Sequence, residues 1–450
     1  MEQAHASTRE PCELSATEAG RLMAEGQLSS EELVRSCLGR IDRLEPTIGA
    51  WVSLDRELLL AQAHAADERR RSGQATELPL NGIPIGIKDV FDTADLPTEN
   101  GTPAHQGRRP PDDAAAVRLL RQSGALIAGK TVTAELAVYF PGKTVNPYDP
   151  QRTPGGSSSG SAAAVACSMV PIALGTQTNG SVIRPASYCG VVGFKPTYGS
   201  IPRAGVLRQS PRLDQIGVFS RTVADSTLAV SILQGDRTPQ GDMLPWPKID
   251  PERLQREPKQ QPRLAMVRTP AWSSAEPQTR RALLRFVAEL GCEVQEITLP
   301  AVADLAVACH RTIMLSEMAH HYRPLVQEYR HHLSPKLLAM IEDGATIGKD
   351  QYIDALGLAE EITGAIDAAL DPCTGTLTPA TPAVAPEGLE STGSPIFSTL
   401  WSLCGVPAIS LPLLTGENRL PLGLQIVAAR GRDQALVQTA HWLEQNTPHR

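Results

Sequence analysis

Three stretches of the chain hold residue types that could do chemistry together. Gly155-Gly-Ser157-Ser158-Ser-Gly-Ser161 and Gly175-Thr-Gln177-Thr178-Asn179-Gly180-Ser181 are glycine-and-serine clusters, and Lys88 stands among Ile85, Ile87, Val90 and Phe91. Glycines adopt backbone angles closed to other residues and let the chain approach a ligand. Successive N–H groups in such a turn can converge on an anion. A serine that ends the turn is then placed as a nucleophile beside an oxyanion hole. Lysine is ordinarily a solvated surface cation. An apolar setting disfavours its ammonium and can yield a neutral amine.

Ser/Gly clusters are also common as linkers. These two instead run into Ala162-Ala-Ala-Val165-Ala166 and Val170-Pro-Ile-Ala-Leu174. Those are buried-helix and buried-strand compositions, which a flexible linker lacks. No convincing His/Asp partner accompanies the serines. Gly-x-Ser-x-Gly matches fall only inside 155–160 and lack the strand–turn–helix setting of a nucleophile elbow. A serine activated by lysine, directly or through a second serine, is the remaining arrangement.

The elements that must position these residues are legible in part. Ser15-Ala-Thr-Glu18 and Ser29-Ser-Glu-Glu32 are capping boxes that open amphipathic helices, Pro46 marks a break, and a third helix spans about 55–71. Ile83, Ile85 and Ile87 alternate as in a strand, with Lys88 at its end. A helix follows over 111–124 with Asp112 as its cap. Gly124-Ala-Leu-Ile-Ala-Gly129-Lys130-Thr131 satisfies the P-loop expression, but it follows a helix and its interior reads as a strand, so nucleotide binding is excluded there. The loop 201–212, with Arg203, Arg208 and Arg212, is placed to edge a pocket. Strands are expected at 264–267 and 293–297, and a helix at 276–290 between them. Residues 235–262, rich in Pro, Gln and charge, read as an insertion or linker. Several helices over 302–370 carry His310, His320, His321, His331 and His332, which read as surface groups because no acidic ligand shares their spacing.

Composition narrows the class. The 450 residues carry a formal charge of −7 with both signs interspersed, which argues against a nucleic-acid surface. No apolar run reaches the length of a membrane span, and the first residues lack the pattern of a signal peptide. The eight cysteines form no CxxC pair, so neither a metal cluster nor a disulfide framework is expected. A cytoplasmic protein with reduced thiols and a close-packed α/β core is the reading.

The motifs, taken together, resemble those of the amidase signature family. Ile83-Pro-Ile-Gly-Ile-Lys88-Asp resembles its lysine motif, the 155–166 run its first serine motif, and Gly175-Thr-Gln-Thr-Asn-Gly-Ser181 its nucleophile motif. The likeness extends through Phe194-Lys-Pro-Thr197, Leu213-Asp-Gln-Ile-Gly217 and Leu420-Pro-Leu-Gly-Leu-Gln-Ile426. It implies an α/β fold with a central mixed β-sheet covered by helices on both faces, with residues 1–75 as an N-terminal helical layer and 76–450 as the signature domain. It also implies roles. Ser181 is the nucleophile, and Ser157, after a cis peptide from Gly156, passes the proton. Lys88 is the base, and Ser158 holds Lys88 in place. The N–H groups of Thr178, Asn179, Gly180 and Ser181 form the oxyanion hole. No metal or organic cofactor is needed. Three residues depart from the commonest pattern: Gln177 stands where Asp is usual, Asn179 where Gly or Ala is frequent, and Arg184 three residues after Ser181 rather than two.

The implied function is a stand-alone amidase for small or medium amides, with carbamates and esters as further substrate classes. Tyr139, Phe140 and Arg208 are candidate pocket residues. A monomer or homodimer with no membrane or nucleic-acid partner is expected. The alternative is the glutaminase subunit of a tRNA-dependent amidotransferase, and a non-enzymatic binding relative is a third reading.

Overall fold

The isoleucines at 83, 85 and 87 are fully buried, and the strand they announce lies deep in a large sheet. The computed structural model describes residues 9–235, 243–256 and 261–447. Its strands are β1 (Trp51–Ser53), β2 (Pro84–Lys88), β3 (Leu126–Thr131), β4 (Ile172–Gln177), β5 (Val192–Lys195), β6 (Gln215–Ser220), β7 (Leu264–Val267), β8 (Val294–Ile297), β9 (Gly375–Pro379), β10 (Ala408–Thr415) and β11 (Pro421–Val427). They form one sheet in the order β1-β3-β2-β4-β6-β5-β10-β11-β9-β7-β8. β2 runs parallel to β3 and β4, and β7 parallel to β8 and β9. The other pairs are antiparallel, so the sheet is mixed.

Helices cover both faces, and β4 shows why. Alternate strand residues point to opposite faces. Ile172 and Leu174 join a core with Val117 and Leu120 of the helix Ala115–Gln122. Ala173, between them, joins another core with Ala162 and Ala163 of the helix Ser159–Ala166. That second helix is buried on every side, which only small residues allow.

The N-terminal helices are α1 (Ala16–Ala24), α2 (Ser30–Ile48) and α3 (Arg56–Arg71). Both expected capping boxes form, and Asp55 caps α3. Two local expectations are corrected. Pro46 does not break α2, because it falls in the last turn, where the missing N–H costs one bond before the helix ends at Gly49. Asp112 does not cap the next helix, which starts later, at Ala115. Asp113 instead accepts from Ala94 N and Arg121 Nε at 2.9 Å each. β1, within the N-terminal layer, pairs with β3 and is too short for its pattern to be read.

The P-loop-like run is β3. Its Lys130 is buried, lies 3.2 Å from Asp89 Oδ1 and donates to Phe91 O and Thr98 Oγ1. Of the expected insertion, 236–242 and 257–260 lie outside the described residues. The part between them packs on the body through Trp246, whose Nε1 donates to Tyr198 O, and through buried Ile249. Among the described residues no helix is long and apolar enough to cross a membrane.

Candidate active site

Lys88 ends β2 with its side chain wholly buried. Nζ donates to Ser157 Oγ at 2.8 Å and to Thr176 Oγ1 at 2.8 Å. Burial pushes the ammonium well below its ordinary value of 10.5, the charge of Asp214 opposes this, and Arg184 adds to it. The result favours a neutral amine at proton-transfer distance from a serine hydroxyl.

Ser157 follows a cis Gly156–Ser157 peptide and leads into the helix Ser159–Ala166. Among the described residues Ser158 makes no hydrogen bond to Lys88. Its Oγ donates to Thr176 O at 3.2 Å and accepts from Thr176 N at 3.3 Å, so it braces the residue that holds Nζ. The close approach needs Gly175, where a Cβ would lie 2.8 Å from Ser158 Oγ and 2.6 Å from the Phe219 ring.

β4 ends at Gln177, and residues 178–181 turn into the helix Ile183–Cys189. Ser181 is partly exposed on this turn. Among the described residues its hydroxyl makes no hydrogen bond to Ser157. The two segments are tied through Arg184, whose Nη2 donates to Gly156 O at 2.6 Å. Arg184 is 1% exposed and has no carboxylate partner among the described residues. Gln177 Oε1 accepts from Val182 N and Ile183 N at the start of the helix, a task a carboxylate could also do. Its Nε2 reaches Ser402 Oγ at 3.0 Å, which a carboxylate would not donate to.

The turn is held from several sides. Thr178 Oγ1 donates to Asp214 Oδ1 at 2.6 Å, and Asp214 Oδ2 accepts from Gln209 N and Ser210 N. Burial raises the Asp214 carboxyl to about 6 against the pull of these bonds. His310 Nε2 lies 3.0 Å from Thr178 O, and Ser402 Oγ donates to Asn179 O. The Asn179 side chain accepts from Thr399 and donates to Tyr139 OH at 3.3 Å.

A cavity of about 340 Å³ begins at Thr176 and Thr178. Val206, Leu207 and Ile216 supply apolar wall, and Arg208 lines it from the 201–212 loop. Lys88 and the serines lie beside the cavity, not in its wall. Tyr139 sits against Asn179 and Phe140 is 48% exposed, so neither lines this cavity.

The Amidase family model matches residues 32–437. This chain belongs to the Amidase family. The Amidase-family chain is 34% identical to a glutamyl-tRNA(Gln) amidotransferase subunit of Cupriavidus metallidurans, over 94% of this chain and 95% of that protein. It is 44% identical to the protein of the same name from Chloroflexus aggregans, where the match spans 53% of this chain and only 50% of that protein. Among solved structures, one of an amidase superposes with a TM-score of 0.85 at 30% identity, covering 97% of this chain and 100% of that one. A chain from a vestigial protein complex that reveals the evolutionary origins of an s-triazine catabolic enzyme superposes at 0.90, with 26% identity over 97% of this chain and 99% of that one.

Four residues of this Amidase-family site escaped the sequence reading. Thr176 lies inside the Gly175–Ser181 motif with no signal for its own role, and Ser402 is a single hydroxyl with no pattern around it. Asp214 lay within a quoted motif but without a role. His310 was grouped with surface histidines and is in fact 1% exposed, whereas His320, His331 and His332 are exposed. Its helix, Ala306–His321, buries Ile313 and Met314 on the same side, three and four residues on, and that spacing was the available signal.

Proposed function

We propose that the chain hydrolyses the C–N bond of an amide or carbamate without positive charge through an acyl-enzyme on Ser181. The observation that carries this is the buried Lys88 amine hydrogen-bonded to Ser157. Neutral Lys88 takes the proton of Ser157 as Ser157 takes that of Ser181, and Ser181 Oγ attacks the carbonyl carbon. The N–H groups of Thr178 to Ser181 receive the oxyanion. The proton returns through Ser157 to the leaving nitrogen, and water then cleaves the ester by the reverse relay. The cavity argues against a cationic substrate. Its wall at Val206, Leu207 and Ile216 is apolar, Arg203 and Arg208 add guanidinium groups to the lining, and the carboxylate at hand, Asp214, is already committed to Thr178, Gln209 and Ser210. Esters pass through the same tetrahedral oxyanion and belong to the same proposal.

A second reading is the glutaminase subunit of an amidotransferase, which works together with partner subunits. The names of the curated relatives, matched over nearly the whole chain, favour this reading over the first. The deciding experiment is product release by the purified chain alone, without ATP, from matched anilide, carbamate, ester and glutamine substrates. Turnover of one of the first three, abolished in Ser181→Ala, would support the first reading. Turnover of glutamine alone, or only with partner subunits, would replace the first reading with the second.

A further inference from the structure

The turn 178–181 is held by its carbonyls, and this fixes where its N–H groups point. In a trans peptide the C=O of one residue and the N–H of the next point in opposite directions. Every bond of this turn is trans, since the cis peptide of the chain among the described residues is Gly156–Ser157. Thr178 O faces His310 Nε2, so Asn179 N–H points away from the helix Ala306–His321. Asn179 O accepts from Ser402 Oγ, so Gly180 N–H points away from the helix Ile396–Leu403. Gly180 O accepts from Arg184 N, so Ser181 N–H points away from the helix that follows it. Among the described residues none of these three N–H groups has a protein acceptor.

We infer that His310, as the neutral Nε2–H tautomer, is a positioning residue that aims the oxyanion turn by holding the Thr178 carbonyl, with Ser402 doing the same for Asn179. This rests on the acyl-enzyme reading above. Two features fit it. A carbonyl accepts only, so Nε2 must carry the proton. Burial holds the imidazolium down to about 4, against the pull of the Thr178 bond, so the ring is neutral in ordinary buffers. The remote carbonyl bond, 132 residues away in sequence, is the polar contact this buried ring makes at the site. A leucine there would fill the space but leave Thr178 O without its donor. The peptide plane would then be free to rotate, and the N–H groups would cease to be preorganised for developing charge.

The test compares His310→Leu with His310→Gln, whose amide N–H reaches about as far as Nε2, using the best substrate of the panel above and Ser181→Ala as reference. For His310→Leu, kcat should fall about tenfold or more with KM changed by less than about threefold, the pattern of an interaction made in the transition state. Affinity for phenylboronic acid, which forms a tetrahedral adduct on a serine, should fall in the same proportion. His310→Gln should recover most of both. A folded His310→Leu enzyme with unchanged kcat and boronate affinity would overturn the inference, as would a change confined to KM. If His310→Leu does not fold, nitrogen NMR of the wild-type ring at about pH 7 decides, where an Nδ1–H tautomer or an imidazolium overturns it. Activity persisting in Ser181→Ala would instead remove the acyl-enzyme reading itself, so the two failures are distinguishable.

Discussion

A lysine works as a base only if it is neutral, and at Lys88 it is burial that works against the charge. Lys88→Arg tests this directly. A guanidinium keeps two donors for Ser157 and Thr176 but does not lose its proton, so turnover should drop by a factor on the order of 10³, as it should in Lys88→Met. Retained activity in the arginine variant would rule out the base role. The acid side of the pH profile tests Asp214. In the proposed mechanism activity needs neutral Lys88, so it is present above the lysine pKa and lost as pH falls through it. Asp214, ionised above about 6, raises that lysine value. Asp214→Asn removes the opposing charge and the group that titrates near 6. The acid limb of kcat/KM should therefore move to lower pH. A limb that stays in place would show that Asp214 is not coupled to the site.

Among the elements, the helix Ser159–Ala166 sets the position of Ser157 by lying unusually close to the sheet. A Cβ on Gly160 would fall 2.2 Å from Ala50 O and 2.3 Å from Val132 N, both backbone atoms that cannot swing aside. Gly160→Ala should therefore cost about 3 kcal/mol or more of stability, at the upper end of overpacking penalties. Urea unfolding would measure it, and a midpoint equal to wild type would contradict the packing described here. The same tight contact explains why the serine cluster is followed by alanines rather than leucines. β4 contributes two adjacent residues near its C-terminal end to the site, because Gly175 admits Ser158 while Thr176, one residue on, takes the lysine.

Over the full length of the fold, distant parts of the chain are joined by buried polar groups. Lys195 at the end of β5 donates to Gln215 Oε1 at 2.8 Å and to Val406 O, linking three segments. Burial lowers its ammonium from 10.5 to about 7, with Asp433 opposing. The folded chain therefore releases a proton that the unfolded chain keeps between these values. The stabilising effect is full above 10.5 and is lost as pH falls towards about 7. Lys195→Met should flatten the rise in unfolding free energy between about pH 7 and about pH 9.5. An unchanged slope would mean that this lysine titrates normally.

The features legible along the chain are those that short stretches can encode. Both N-terminal capping boxes, the strand ending in Lys88, the strand hidden in a P-loop expression, and the order and spacing of the Lys88, Ser157 and Ser181 motifs are all contiguous patterns. The mixed sheet with helices on both faces followed from the family those motifs resemble. Packing in three dimensions settled which remote groups meet the turn. Thr176 takes the lysine that Ser158 was expected to hold, Asp214 and His310 hold Thr178, and Ser402 holds Asn179. These pairings are not visible in a window of residues, because Thr176 lies 88 positions from Lys88, Asp214 lies 36 positions from Thr178, and His310 and Ser402 lie more than a hundred positions from the turn they touch. Whether a histidine is a surface group or a buried donor depends on what packs against its helix. That is settled only when the Ala306–His321 and Ile396–Leu403 helices close over the end of β4.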